Sequence, residues 1–69
     1  MTNADLTGRA LAGWYRSGGT SPANARVGEF EGRRYVVVER DGVILAVYRV
    51  RYDGRLRRMR RPPAEITEG

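Results

Sequence analysis

The chain has 69 residues, with thirteen basic against eight acidic side chains and a formal net charge of +5. A chain of this length makes one domain at most and buries only about 60% of the surface that its unfolded form exposes, so little structure is spare for an enclosed active site. Cysteine and histidine are absent. This excludes disulfides and removes the commonest transition-metal ligands, so we expect no metal and no cofactor.

The targeting signals of exported and membrane proteins are missing from the sequence. No apolar run approaches the length of a membrane span, and the N-terminus lacks the basic-then-apolar order of a signal peptide. The absence of cysteine fits a reducing compartment. The sequence therefore predicts a cytoplasmic protein without a membrane partner.

The first predicted element is an amphipathic helix over about residues 4–17. Thr2 is a capping residue, and the carboxylate of Asp5 three positions later resembles the second half of a capping box. Gly18-Gly19 ends the helix, because glycine suits the left-handed cap. At helical spacing one stripe is apolar. It consists of Leu6, Ala10, Leu11 and Trp14.

A loop at 20–24 and four strands follow, over about residues 25–30, 35–40, 43–52 and 55–61. Valine-rich runs favour strands, and glycine in the connecting pairs Glu31-Gly32, Asp41-Gly42 and Asp53-Gly54 accepts the positive φ of tight hairpin turns. Pro62-Pro63 stops the last strand and leaves a fraying tail at 64–69. The predicted fold class is α+β, a single domain (1–69) with the N-terminal helix packed on a four-stranded antiparallel β-meander.

Both faces of the central hairpin are apolar. With a two-residue turn at Asp41-Gly42, one face holds Tyr35, Val37, Ile44, Ala46, Tyr48, Val50 and Tyr52, and we expect the helix to cover it. The second face holds Val36, Val38, Val43, Leu45 and Val47. Curling of the sheet into a partial barrel or pairing with a second copy would cover this face equally well. Folding back of the tail with Ile66 is the least favoured option, because one isoleucine offers little area.

The sequence offers poor material for catalysis. Histidine, cysteine and lysine are all absent, which leaves carboxylates as the candidate acids and bases. Asp5 is explained as a helix cap, and Asp41 and Asp53 as turn formers. Glu29 and Glu31 supply too few oxygens for a hard cation. We therefore expect a non-enzymatic protein with no small-molecule substrate.

Every basic residue is arginine, and the charge is one-sided. Residues 1–32 are neutral, so the whole excess lies in 33–69. Codon bias explains arginine over lysine, but clustered charge is the footprint of a polyanion partner. The candidate binding residues are Arg49, Arg51, Arg55, Arg57, Arg58, Arg60 and Arg61. A two-residue turn at Asp53-Gly54 places the arginines at 49, 51, 58 and 60 on one face and those at 55, 57 and 61 on the other. A bulge after this turn would exchange the faces of the arginines in the last strand.

These residues leave two functions open. One is a small basic module that binds DNA or RNA through the arginine-rich hairpin, with Tyr35, Tyr48 and Tyr52 acting either as a stacking platform or as core. The alternative is a protein-interaction or self-assembly module. Its partner is an acidic protein or a second copy, and Val36, Val38, Val43, Leu45 and Val47 form the interface of a homodimer. Arginines also protect an exposed edge strand without any partner.

Overall fold

The computed structural model describes residues 2–20 and 22–68. Its elements in chain order are α1 (Asn3–Arg16), β1 (Asn24–Phe30), β2 (Arg33–Arg40), β3 (Val43–Val50), β4 (Leu56–Arg58) and α2 (Ala64–Glu68). The four strands form one antiparallel sheet in the order β1-β2-β3-β4. The predicted α+β fold, one N-terminal helix and a four-stranded meander, is confirmed. The sheet is open, with β1 and β4 at its edges, so the partial barrel is wrong.

Helix α1 begins with the predicted capping box. The Thr2 hydroxyl accepts a hydrogen bond from the Asp5 amide at 3.2 Å, and the Asp5 carboxylate accepts one from the Thr2 amide at 3.2 Å. These bonds satisfy two amides that have no partner inside the helix. At the other end Gly18 has a φ of 91°, a left-handed conformation that favours glycine. The helix therefore lies within one residue of its predicted bounds.

The first two hairpins have the tight turns that the sequence predicts. Glu31 and Gly32 have φ values of 52° and 73°, and Asp41 and Gly42 have 50° and 81°. Two successive positive φ values define a type I′ turn, whose twist matches that of the flanking strands. Asp41 tolerates the left-handed region better than most side chains. Both turns contain two residues, so Arg40 pairs with Val43 as expected.

A β-bulge lies two residues beyond the second turn. Glu39 pairs with Ile44 but Val38 pairs with Ala46, which leaves Leu45 as the extra residue of β3. Because side chains alternate along a strand, one extra residue reverses the facing of everything beyond it. Val36 therefore shares a face with Tyr48, which pairs with it directly. The predicted division of the hairpin into two faces is wrong from this point onward.

Helix α1 covers one face of the sheet, here called the α1 face. Leu6 and Ala10 of the helix are fully buried against Val36 and Val38, both at 0% exposure. The same cluster is completed by partly buried apolar side chains. These are Leu11, Trp14, Ala25, Val27, Leu45, Val50 and Leu56. The predicted helix stripe is thus confirmed, but it packs on valines that the sequence assigned to the opposite face.

Helix α2 covers the opposite face, here called the α2 face. Ile66 is 3% exposed and packs with Tyr35, Val37 and Val47. Its carbonyl oxygen accepts a hydrogen bond from Arg26 Nη2 at 3.3 Å. The prediction of a fraying tail at 64–69 is therefore wrong for 64–68, and Gly69 lies outside the described residues. A Cβ atom at Gly28 of β1 would lie 3.4 Å from the Ile66 side chain, so the isoleucine packs where this strand has no side chain of its own.

The predicted second face is not one exposed surface. Val36, Val38 and Leu45 belong to the cluster beneath α1, and Val47 belongs to the cluster beneath α2. Val43, beside the type I′ turn, is 59% exposed. The five valine and leucine positions proposed as a homodimer interface are thus divided between two cores and a strand end.

Two aromatic side chains of α1 tie the helix to the sheet. The Trp14 Nε1–H donates to the carbonyl of Thr20 at 3.1 Å, and its ring packs on the backbone of Gly19, where a Cβ atom would overlap the ring. The Tyr15 hydroxyl accepts from the Ala23 amide at 3.1 Å. Of the predicted loop at 20–24, Ser21 lies outside the described residues. Among the helices of the described part, none is long and apolar enough to cross a membrane.

Candidate functional site

The connection between β3 and β4 is longer than the Asp53-Gly54 pair predicts. The Arg51 amide donates to the carbonyl of Arg55 at 2.8 Å, and the Gly54 amide donates to the carbonyl of Arg51 at 2.9 Å. Gly54 has a φ of 84°. This is the three-residue hairpin loop in which a turn is followed by a left-handed residue. Strand β3 therefore ends at Val50 and β4 spans only Leu56–Arg58, against the predicted 43–52 and 55–61.

The extra loop residue decides which arginines share a face. Val50 pairs with Leu56, Arg49 with Arg57, and Tyr48 with Arg58. Arg49 and Arg57 therefore lie opposite each other on the α2 face, whereas Arg58 lies on the α1 face. A two-residue turn would place Arg49 and Arg58 on the same face, and this expectation is wrong. The structure shows the alternative arrangement, in which the residues of the last strand have exchanged faces and Arg57 lies with Arg49.

The seven candidate arginines have different surroundings. Arg55 Nε lies 3.8 Å from a carboxylate oxygen of Asp53. The guanidinium carbon of Arg58 lies 5.6 Å from the centroid of the Trp14 ring, within cation–π range. Arg60 and Arg61 are exposed and follow β4. The structure brings together the remaining three, which are Arg49, Arg51 and Arg57.

Strand β2 adds two arginines that the sequence analysis missed. A shallow groove of about 520 Å³ at this end of the sheet is lined by Arg33, Arg34, Arg49 and Arg51 together with Tyr52. A depression of about 160 Å³ is formed by Arg49, Arg51, Tyr52 and Arg57. We call this surface the arginine groove and define it by Arg33, Arg34, Arg49, Arg51 and Arg57. The available signal was the antiparallel pairing of β2 and β3, which places the start of β2 beside the end of β3.

Like charges meet inside the arginine groove. Side chains directly opposite across two strands have Cβ atoms about 4.5–5.5 Å apart, and like charges in such pairs destabilise the sheet. Arg49 and Arg57 form such a pair. The ion pairs among the described residues involve Arg26, Arg40 and Arg55, so no groove arginine there has a carboxylate within ion-pair distance. Glu29 lies opposite Arg34 and Asp53 borders the groove, so the concentration of like charge is greatest at Arg49 and Arg57.

Arg49 is the central side chain of the groove. It is half-buried, and it lies opposite Tyr35 on β2 and opposite Arg57 on β4. Its Nε atom is buried without a hydrogen-bond partner among the described residues. Leaving a buried donor of a charged group unpaired costs about 1–3 kcal/mol or more. Arg49 Nε is therefore an unsatisfied donor in the free protein.

The tyrosines have separate roles. Tyr35 and Tyr48 are 4% and 9% exposed and belong to the two cores, so they cannot form a stacking platform. Tyr52 is 98% exposed and lies in the loop beside the arginine groove. The packing interpretation holds for the first two, and Tyr52 alone of the three presents its ring to a ligand.

Three acidic side chains near the hairpins have structural contacts, with a loop amide or with a neighbouring arginine. Asp53 borders the groove, but its carboxylate accepts a hydrogen bond from the Arg55 amide at 3.0 Å and pairs with the Arg55 guanidinium. Asp41 occupies the type I′ turn and lies 3.9 Å from Arg40 Nε. Glu39 pairs with Arg26 at 3.5 Å on the α2 side of the sheet. The predicted structural roles of Asp41 and Asp53 are consistent with these contacts.

A second depression, of about 540 Å³, lies between the first half of β3 and the segment after β4. Apolar side chains, including Ile44, Val47 and Met59, form most of its lining, and Arg58 and Arg60 border it. It combines an apolar lining with two arginines at its border, against five arginines in the arginine groove. The chemistry of the molecule is therefore concentrated in the arginine groove.

The fold and the groove together define a small α+β domain with an open sheet, one end of which is strongly cationic. No family model, curated protein or solved structure matches the chain.

Proposed function

We propose that this protein is a small non-enzymatic module that binds nucleic acid through the arginine groove. The observation that carries the proposal is the directly opposed pair Arg49 and Arg57, which has no carboxylate within ion-pair distance among the described residues. Such a pair weakens the free protein. Phosphate groups bound across the two guanidinium groups would turn this repulsion into attraction.

Arginine chemistry favours phosphate as the bound group. The guanidinium presents a planar fork of donors that matches two phosphate oxygens, and it keeps its charge at any biological pH. Five arginines along one groove match a ligand with successive phosphates. Each phosphate neutralised releases a counterion, which supplies much of the affinity for nucleic acids.

The alternative is an interaction or self-assembly module, and its support is weaker. It rested on an exposed apolar face, and Val36, Val38 and Val47 are at most 2% exposed within the single chain. An acidic protein would also supply carboxylates to the groove. The exposed ring of Tyr52 favours nucleic acid over such a partner, since every base offers a flat face for stacking.

A salt titration of oligonucleotide binding tests the proposal. We expect the logarithm of the affinity to fall linearly with the logarithm of salt concentration, with a slope of about −0.9 per phosphate contacted on a duplex and about −0.7 on a single strand. Arg49→Ala and Arg57→Ala should each weaken binding and reduce the slope by about 1. Binding that ignores salt would contradict the proposal.

Matched controls are available on helix α1. Arg9 and Arg16 are exposed and lie outside the groove, so Arg9→Ala and Arg16→Ala remove the same charge elsewhere. These variants should keep nearly all of the affinity. Equal losses in the groove and control variants would show that net charge alone drives binding. In a heteronuclear NMR titration, the amides of 33–34 and 49–57 should shift before those of α1.

A further inference from the structure

We infer that the arginine groove takes a single-stranded nucleic acid, with one unpaired base stacked on the ring of Tyr52. This inference rests on the proposed function and names its ligand class. It is carried by the position of one aromatic side chain relative to the charged groove.

Tyr52 is unusually exposed for its size. Its exposure is 98%, against 41% for Tyr15 and 59% for Val43, the other large hydrophobic side chains that reach the surface. It makes no hydrogen bond or ring contact with any other described residue. Both faces of the ring are therefore in water. Burial of aromatic surface is favourable, so a ring held in this position is available to a flat apolar ligand.

The loop holds the ring next to the charges. Tyr52 directly follows Arg51, and it borders the groove together with Arg33 and Arg49. Three hydrogen bonds close the loop around it, from the amides of Gly54, Arg51 and Arg55. A strand whose phosphates lie against the arginines would therefore bring a neighbouring base to the loop backbone that carries this ring.

The exposed ring distinguishes single strands from duplexes. In a duplex the two faces of each base are covered by its neighbours, so stacking on a protein ring requires that a base first leave the stack. In a single strand the bases are free to splay and stack on aromatic side chains. Stacking is also tolerant of sequence, because every base has a π face. The groove thus favours single strands without a strong base preference.

Fluorescence anisotropy with three labelled probes of equal length, about twelve nucleotides, tests the inference. The probes are oligothymidylate, the same strand with abasic residues throughout, and the duplex of oligothymidylate with oligoadenylate. The abasic strand keeps the phosphates and removes the bases. For the wild-type protein we expect oligothymidylate to bind about 5- to 150-fold more tightly than the abasic strand, and more tightly than the duplex.

Variants of the ring separate stacking from charge. Tyr52→Ala should reduce the affinity for oligothymidylate to that for the abasic strand and leave abasic binding unchanged. Tyr52→Phe keeps the ring and should keep the preference. Val43→Ala, an exposed apolar residue beside the other turn of β3, should change none of the affinities. Because Tyr52 lies outside both cores, the circular dichroism of its variants should match the wild type.

The probes also separate the two proposals. If no probe binds in a salt-dependent way, the proposed nucleic-acid function fails. If the abasic strand binds as tightly as oligothymidylate, or if the duplex binds most tightly, phosphate binding stands and the stacking inference is overturned. Loss of abasic binding in Tyr52→Ala would likewise overturn it, because the ring would then support phosphate binding by the arginines instead of stacking on a base.

Discussion

At the scale of single residues, Arg49 combines a position in the sheet with a place at the centre of the proposed binding groove. Its stem extends the α2 face beside Tyr35, while its guanidinium faces Arg57 across the strand pair. Long charged side chains often bury their carbon chain and keep the charged group at the surface. The charge at this position opposes that of Arg57 in the free protein, and this is the cost that the proposed phosphate ligand would offset.

Replacing one member of the opposed pair should therefore stabilise the free protein. Arg57→Glu converts a repulsion with Arg49 into an attraction, and we expect a gain of about 0.2–1 kcal/mol in the free energy of unfolding, measured with urea. The same variant should lose affinity for oligonucleotides. Arg61→Glu makes the same change of net charge beyond β4. An equal gain in that control would show that only the net charge matters.

Asp5 carries the pH dependence of helix α1. The hydrogen bond from the Thr2 amide, then that from the Thr2 hydroxyl, holds the pKa of the Asp5 carboxyl below its ordinary value of 3.8. A carboxyl with a lowered folded-state pKa stabilises the fold above its unfolded pKa, and this contribution disappears as the pH falls through the folded value.

The comparison of wild type with Asp5→Ala measures that contribution. At neutral pH the variant should be less stable in thermal unfolding followed by circular dichroism, because it loses the cap and a negative charge in the first helical turn. The difference should shrink as the pH falls below the ordinary value of 3.8 and disappear as the pH falls through the lower folded-state pKa. A difference that stays constant with pH would show that the ionised carboxylate is not responsible.

At the scale of secondary-structure elements, α2 is a helix of only five residues with a structural role. Its Ile66 closes the cluster of Tyr35, Val37 and Val47. Ile66→Ala should lower the free energy of unfolding by about 2 kcal/mol, near the small end for buried isoleucine because a terminal helix can adjust. Glu65→Ala, on the exposed side of the same helix, is the control and should change stability little. Equal effects of the two variants would contradict this role.

The sequence patterns that correctly predict local structure involve contacts between near neighbours in the chain. Thr2 and Asp5 define the helix start, and Asp41-Gly42 defines a type I′ turn, because the bonds concerned span only a few residues. Asp53-Gly54 has the same composition as Asp41-Gly42 but lies in a three-residue loop. The difference depends on how β4 packs against β3, which composition does not encode.

The bulge at Leu45 is the source of the largest error. Nothing in the valine-rich run marks an extra residue, since Leu45 continues the apolar pattern. The extra residue shows only in the register of β3 against β2. The sequence predicts only part of the arginine groove, because the rest of the groove also depends on how the strands pair. Arg49, Arg51 and Arg57 were named from charge alone, whereas Arg33 and Arg34 enter through strand pairing.

At the scale of the whole molecule, charge and scaffold are separated along the chain. Residues 1–32 have no net charge and contribute α1 and the first edge strand, and residues 33–69 carry the whole excess of +5. The two helices cover opposite faces of the sheet, and the groove occupies one end of it. The apolar faces are thus used for folding, and the arginine groove at the sheet end is the surface that we propose for binding.

This arrangement predicts that different anions stabilise the protein to different extents. Chloride screens the repulsion among arginines and should raise the melting temperature modestly. Sulfate, a divalent tetrahedral oxyanion, can also bind between Arg49 and Arg57. At about five times its dissociation constant, a ligand of the folded state adds about 1 kcal/mol, or about 4–8 °C for a domain of this size. Calorimetry at equal ionic strength in the two salts measures the sulfate excess, which is the additional rise in melting temperature in sulfate over that in chloride.

Arginine-to-alanine variants inside and outside the groove show whether the sulfate excess is due to binding in the groove. Sulfate stabilises most proteins by exclusion from their surface, so some excess over chloride is expected in any case. That general part should remain in Arg49→Ala and Arg57→Ala, and the part due to binding should vanish. Arg9→Ala should keep the full excess, because its charge lies on α1 and outside the groove. If all three variants keep it, the opposed arginines do not bind an oxyanion, and their repulsion has no compensation in a phosphate ligand.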